Sequence, residues 1–167
     1  LAFCLAVVLL VGLSYRQQLQ LQHQQAEQSL QATVDSLARK AEDKYAERRR
    51  SLMFLATTPP VKGLVRAIES GGVDAEGDST EAQWHQRMVQ IFSAYLATTP
   101  HAYQVRFIGV AGDGRELVRL ERQGERVLLT PTDQLQQKGQ TDYFREALRV
   151  GEGNVFVSDI TLNKEHD

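Results

Sequence analysis

Between Tyr15 and Thr57 the chain contains neither glycine nor proline. Gln, Ala, Leu, Glu, Lys and Arg dominate this stretch, and all are good helix formers. Apolar or small residues recur at Ala26, Leu30, Val34, Leu37, Ala41, Tyr45, Leu52 and Leu55, in steps of mostly three or four. That spacing marks one face of an α-helix. The helix would run on the order of 60 Å, too long to be covered by one small domain. Its glutamine-rich part, residues 17–28, reads as a stalk, and the part from about Leu30 as packing on a domain. Strict heptads are not sustained, so a plain coiled coil is the weaker reading, and dimerisation along the helix stays open. Arg48 interrupts the stripe, and the run Arg48-Arg49-Arg50, with Glu42, Asp43 and Glu47 nearby, reads as a solvated, locally paired face.

Upstream lies LAFCLAVVLLVGL, residues 1–13, without a charge. As a helix it covers roughly 20 Å, against about 30 Å for a hydrocarbon core. The sequence begins inside this run and ends just after an expected strand, so it reads as a slice of a longer polypeptide. A signal-peptide core or a buried helix are the alternatives, but no small-x-small cleavage pattern follows. We therefore expect residues 1–14 to be a truncated transmembrane anchor. Arg16 is the one positive charge in the following YRQQLQLQHQQAEQ. Cytoplasmic flanks are usually richer in Lys and Arg, so the part after the anchor is expected outside the cytoplasm.

Charge and cysteine narrow the function further. A net charge of -2 over 167 residues argues against nucleic acid as the main partner. The single cysteine excludes an intrachain disulfide and a Cys-based zinc site. The four histidines, His23, His85, His101 and His166, are far apart, and neither HExxH nor GxSxG occurs. Gly112-Asp113-Gly114 lacks the rest of any phosphate-binding pattern and reads as a turn. The expectation is no catalytic residue, no metal site and no cofactor in this segment.

Thr57-Thr58-Pro59-Pro60 should stop the long helix. A Thr cap and a first-turn proline should start a short helix that Gly71-Gly72 ends. Residues 70–79 read as a polar loop. Thr80 and Gln83 form a capping box for a helix to about Ala97, whose face of Trp84, Met88, Ile91, Phe92, Tyr95 and Leu96 is core. The phrase LATTP, at 55–59 and again at 96–100, reads as two similar helix stops. Residues 103–110 and 115–122 around Asp113-Gly114 form a β-hairpin. Period two puts Val105 and Phe107 on one face, and Arg106, Ile108 and Val110 on the other. Val118 and Leu120 share one face of the second strand, Leu117 and Arg119 the opposite one. Residues 126–129 extend that strand or begin another. Thr141 should cap a helix ending at Gly151, and 154–160 should be a third strand. The order suits an α+β domain with an antiparallel sheet.

Several phrases together resemble the Cache-type, PAS-like sensor modules of bacterial receptors. They are LATTPPVKGLVRA at 55–67, QVRFIG at 104–109, GRELVRLER at 114–122, DYFREAL at 142–148 and NVFVSDITLNKE at 154–165. The likeness covers roughly residues 30–167, and the phrases resemble, in the same order, the membrane-distal module of double-Cache receptors. It implies a stalk or dimerisation helix over 15–57 and a sensor module over 58–167, truncated at its C-terminus. It also implies a bacterial inner-membrane location, with residues after about 14 facing the periplasm or exterior. The implied function is ligand sensing for a membrane-bound receptor, foremost a two-component histidine kinase, with a diguanylate cyclase or chemotaxis receptor as alternatives. A membrane-anchored structural or interaction protein is the competing class. The implied partners are a small molecule, the membrane and a second copy through the long helix.

In PAS-like sensors the pocket lies between the sheet and the helix that crosses it. On that resemblance the candidate ligand-binding residues are Arg106 and Arg119 of the hairpin, Tyr143 and Phe144 of the following helix, and Ser158 of the third strand. The amino-acid-binding pattern of the family is not intact here, so an organic anion is the expected ligand. An arginine fork can hold a carboxylate by two hydrogen bonds. The plain alternative is that each arginine pairs with Glu116 or Glu121 or faces solvent.

Overall fold

The computed structural model describes residues 2–159. The chain divides into two compact units, one ending at Arg48 and one beginning at Arg49. The first consists of helix α1 (Ala2–Thr57) up to that point, running unbroken from the apolar segment through the glutamine-rich one. Among the described residues no helix is long and apolar enough to cross a membrane.

The second unit includes the last turns of α1, and Leu55 and Thr58 belong to its interior. Helix α2 (Pro59–Glu69) follows, with prolines in its first turn where the missing N–H costs nothing. Thr58 sits at its N-cap but does not cap it, because its hydroxyl donates backwards to Leu55 O at 2.7 Å. The repeated LATTP phrase closes two helices in the same way. The Thr57 hydroxyl donates to Met53 O and Phe54 O, and Thr98 donates to Ala94 O and Tyr95 O.

The expected polar loop over 70–79 holds a small antiparallel ribbon instead, β1 (Val73–Asp74) with β2 (Ser79–Thr80). Its anchor is Asp74, which is buried. Arg66 of α2 grips both carboxylate oxygens, Nε to Oδ1 at 2.9 Å and Nη2 to Oδ2 at 2.8 Å. The Trp84 indole donates to Oδ2 at 3.0 Å, and the Glu76 backbone N–H to Oδ1 at 3.2 Å. A buried carboxylate must be satisfied in this way. The Arg66 hydrogen bonds are the main cause that holds the Asp74 carboxyl down at about 2, against the opposing effect of burial. Trp84 is clamped in turn, with the Arg87 guanidinium 4.5 Å from its ring centre and Gly63 against its flat side.

Helix α3 (Glu81–Thr98) starts with the expected capping box. Thr80 N–H donates to Gln83 Oε1 at 2.9 Å and Gln83 N–H to Thr80 Oγ1 at 3.3 Å. Trp84, Met88, Phe92 and Leu96 bury its inner face, with Ile91 and Tyr95 packed beside them. Arg122 closes its C-terminal end, donating to Leu96 O in the last turn and to Thr99 O and Ala102 O just beyond it. A cation there also complements the helix dipole.

The sheet is three-stranded and antiparallel, in the order β3 (Gln104–Ile108), β4 (Glu116–Gln123), β5 (Arg126–Leu129). Residues 126–129 are thus a strand of their own, folded back at Gly124, whose φ is 60°. Val105 faces Leu120 and Phe107 faces Val118, on the side packed against α3. Arg106 faces Arg119 and Gln104 faces Glu121, on the opposite side. Between Phe107 and Ile108 the register slips, so that Ile108 pairs with Glu116 and Leu117 is left over. This bulge turns Glu116 away from the side of Val118 and Leu120 and onto the arginine side.

A 3-10 turn (Thr132–Gln134) and helix α4 (Asp142–Arg149) complete the described chain. Gly114, at φ 76°, lets the hairpin turn touch this connection, since a Cβ there would lie 2.4 Å from Gly139 N. Thr141 stands at the N-cap of α4, yet its hydroxyl donates to Lys138 O, so the expected side-chain cap is not made. The expected strand over 154–160 does not form over residues 154–159, and residue 160 lies outside the described residues. Alternating apolar residues make a strand only where a sheet edge accepts the ladder, and these residues pair with none among those described.

Two outcomes test this core. Gly63→Ala places a Cβ 2.3 Å from a Trp84 ring carbon. Overpacking of about 1–3 kcal/mol should outweigh the roughly 1 kcal/mol that alanine gains in a helix, so the variant melts lower. For Asp74, the depressed carboxyl means that the folded chain binds fewer protons than the unfolded one between the ordinary value of 3.8 and about 2. Its contribution is therefore present above that window and lost as the pH falls through it. The stability difference between the wild type and Asp74→Asn should be constant above the window and shrink within it, as read by denaturant titration at several pH values.

Candidate functional site

The sheet face opposite α3 carries a buried cluster of charges. At its centre is Glu116, whose side chain is fully buried. Arg106 Nη1 donates to Glu116 Oε1 at 2.9 Å, and Arg119 Nη1 to Oε2 at 3.2 Å. The Gln136 backbone N–H donates to Oε2 at 3.0 Å, from the connection that crosses this face. Arg119 also reaches Thr130 Oγ1 at 3.0 Å and lies 3.1 Å from Glu121 Oε1, which in turn accepts from Gln104. Lys138 is buried nearby and donates to the Gln136 side chain. Among the described residues every buried side-chain nitrogen and oxygen has a hydrogen-bond partner.

Elementary sheet geometry explains why these groups meet. Gln104 and Arg106 share a face by period two, and their partners Glu121 and Arg119 share it with them. The bulge then adds Glu116, which an unbroken ladder would have aimed into the apolar core. A carboxylate there would have cost several kcal/mol without partners. Turned the other way, it becomes the shared counter-ion of two guanidinium groups.

Helix α4 approaches the same face through one hydroxyl. Arg106 Nη1 lies 3.3 Å from Tyr143 Oη and donates to it. None of the residues of α4 is buried. Tyr143 and Phe144 are half-buried, and Leu148 is exposed. The helix carries its own charges as Arg145–Asp142 and Arg149–Glu146 pairs. It is held more lightly than α2 and α3, which each bury four residues.

The structure thus brings together three of the five residues expected from the sequence, Arg106, Arg119 and Tyr143. Phe144 neighbours Tyr143 on α4. Ser158 does not join them, because its expected strand is absent over the described residues and the side chain is exposed. The arginines do pair with Glu116 and Glu121, as the plainer alternative held. Sequence reasoning did not place Gln136, Lys138 and Thr130, which come from irregular segments without periodicity. Gln104 was within reach, two residues before Arg106 on the same strand.

No family model, no curated protein and no solved structure matches this chain. Among the described residues no three His, Cys, Asp or Glu side chains gather as a metal site. A separate cleft of about 640 Å³ opens between the start of α3 and the start of β4, lined among others by Thr80, Glu81, His85, Arg115, Thr132 and Leu135. It shares Glu116 with the charge cluster and contains none of the five expected residues.

The cluster makes a clear energetic prediction. Glu116→Ala leaves two guanidinium groups without their shared partner and should cost about 3–5 kcal/mol, the usual penalty for breaking a buried ion pair. Tyr143→Phe removes one neutral acceptor at the rim and should cost about 1 kcal/mol or less. Equal losses for the two variants in chemical denaturation would contradict the placement of Glu116 at the centre.

Proposed function

We propose that this chain is the extracytoplasmic ligand-sensing region of a membrane-bound bacterial receptor, of the kind that feeds a two-component histidine kinase. The segment itself recognises a molecule and does not transform one. The observation that carries this reading is the convergence of Arg106 and Arg119 on the Glu116 carboxylate, with Arg106 also bonded to the Tyr143 hydroxyl of a helix that has no buried residue. Such a face is chemically suited to carboxylates. Its own Glu116 occupies the inner position, and Arg106, with 18 % of its side chain exposed, borders the outside.

The ligand is a small organic anion. Its carboxylate meets the outer edge of Arg106 and the Tyr143 hydroxyl, and so competes for bonds that now tie α4 to the sheet. A state of α4 that binds the anion better is then populated at the expense of the present one; only such differential affinity can move the equilibrium. The response leaves through α1, whose last turns place Leu55 in the core of the folded unit. Helix displacements of about 1–2 Å are common carriers of such signals. The ordered phrases that resemble Cache-type modules, and the uncharged run over 1–13, support the receptor reading. In this proposal that run attaches the chain to the inner membrane and the sensing unit lies outside the cytoplasm.

Calorimetric titration of the full receptor ectodomain against mono- and dicarboxylates tests this directly. At least one should bind, and Arg106→Ala should weaken it by tenfold or more, the loss expected of a charged hydrogen bond worth about 1.5–3 kcal/mol. Unchanged binding in Arg106→Ala and in Tyr143→Phe would remove this face from consideration.

A further inference from the structure

The cleft between the start of α3 and the start of β4 is lined by two opposite charges that lack partners. Its volume of about 640 Å³ falls within the roughly 300–1,000 Å³ usual for small-molecule sites. Glu81 and His85 line it from α3, one helical turn apart and so on the same side of that helix. Arg115 lines it from β4, and Leu117 and Leu135 supply apolar surface. Among the described residues Arg115 makes a single side-chain hydrogen bond, from Nη2 to Thr132 O at 3.4 Å. Neither Arg115 nor Glu81 has an ion-pair partner among them. The buried acids Asp74 and Glu116, by contrast, each have an arginine partner.

Backbone bonds that do not involve these side chains hold the walls in place. Glu81 N–H donates to Gly72 O and Glu116 N–H to Gln136 O, each at 2.9 Å. Gly109 N–H donates to Arg115 O at 2.9 Å, and Arg115 is bridged to Gln137 in the antiparallel sense. The Glu81 and Gln83 amides in the first turn of α3 are committed to Gly72 and Thr80, so recognition here falls to side chains. We infer that this cleft is a second binding site, and that its ligand is a small zwitterion, an amino carboxylate with an apolar spacer between its charged ends.

The carboxylate end meets the Arg115 guanidinium, whose planar fork can donate two parallel hydrogen bonds to it. The ammonium end meets Glu81, with the His85 ring beside it as a further hydrogen-bonding group. The spacer lies along Leu117 and Leu135. Other ligand classes fit the lining less well. A simple anion would face the uncompensated Glu81 carboxylate, and a simple cation the Arg115 guanidinium, and like charges at close range repel. A neutral polyol would leave both charges without a counter-charge. Glu116, which also lines the cleft, is already neutralised by Arg106 and Arg119 and adds no net repulsion.

Titration of the full-length protein with ω-amino carboxylates, from glycine to 6-aminohexanoate, tests this, with pentanoate and pentylamine as single-charge controls. NMR of the His85 ring reads the cleft, and NMR of the Tyr143 ring reads the α4 face. At least one zwitterion should shift the His85 signals saturably, with an affinity about tenfold or more above that of either control at the same reporter. Arg115→Gln and Glu81→Gln should each weaken it by about tenfold or more. Thermal stability should change little in both, because neither side chain is paired within the fold. The zwitterion should also bind when a carboxylate already saturates the Tyr143 response. Four results would each overturn the zwitterion site: no saturable His85 shift from any member of the series, equal affinity for a single-charge control, unchanged binding in either variant, or displacement by the carboxylate that fills the α4 face. The His85 titration keeps its meaning if no carboxylate binds at Arg106, so failure of that reading and failure of this one are told apart.

Discussion

Glu116 is a carboxylate without access to water, and the polar side of the sheet is arranged around that fact. Desolvating it is tolerable only because two guanidinium groups and a backbone N–H converge on its oxygens. One of these arginines also holds the following connection through Thr130, and the other reaches helix α4 through Tyr143. Both the crossing segment and the last helix are therefore fixed through the same ion cluster. All of this follows from one extra residue in β4, since without the slip at Leu117 the acid would point at Met88 and Phe92 rather than at arginines. Arg106 is thus the link between the ion cluster and α4.

A second buried acid does a different job. Asp74 also has an arginine as bidentate partner, but its third partner is the Trp84 indole, in the middle of the apolar core. There the carboxylate fixes a ribbon and two helices in place, and no movable element touches it. Gly63 and Gly77 leave no room for a side chain beside the Trp84 ring. One acid thus ties together the ribbon and helices α2 and α3, and the other the polar face of the sheet.

Much of this was legible from residue patterns. The uninterrupted helix followed from forty-odd residues without Gly or Pro, and the start of α3 from Thr80 and Gln83. The hairpin followed from alternation around Asp113-Gly114. What was not legible has physical reasons. The β1–β2 ribbon is held by Asp74 through partners eight and ten residues away, and two-residue strands have no periodicity to read. The bulge in β4 breaks the period-two rule that assigned faces, so the central acid of the candidate site was seen only as a neighbour. Ser158 was placed by the resemblance, on an expected strand that finds no sheet edge over the described residues. The arginines were legible because period two holds on both sides of them up to the bulge.

The account stands or falls on Arg106 being the guanidinium that meets an incoming anion while its neighbours stay where they are. Arginine side-chain NMR of the receptor ectodomain, during titration with the tightest-binding carboxylate, reads this at the level of single groups. The Arg106 Nε and Cζ signals should shift saturably, with the same midpoint as calorimetric binding. Those of Arg122, bound to the carbonyls at the end of α3, should stay in place. Saturable binding that leaves the Arg106 signals unmoved would contradict the account.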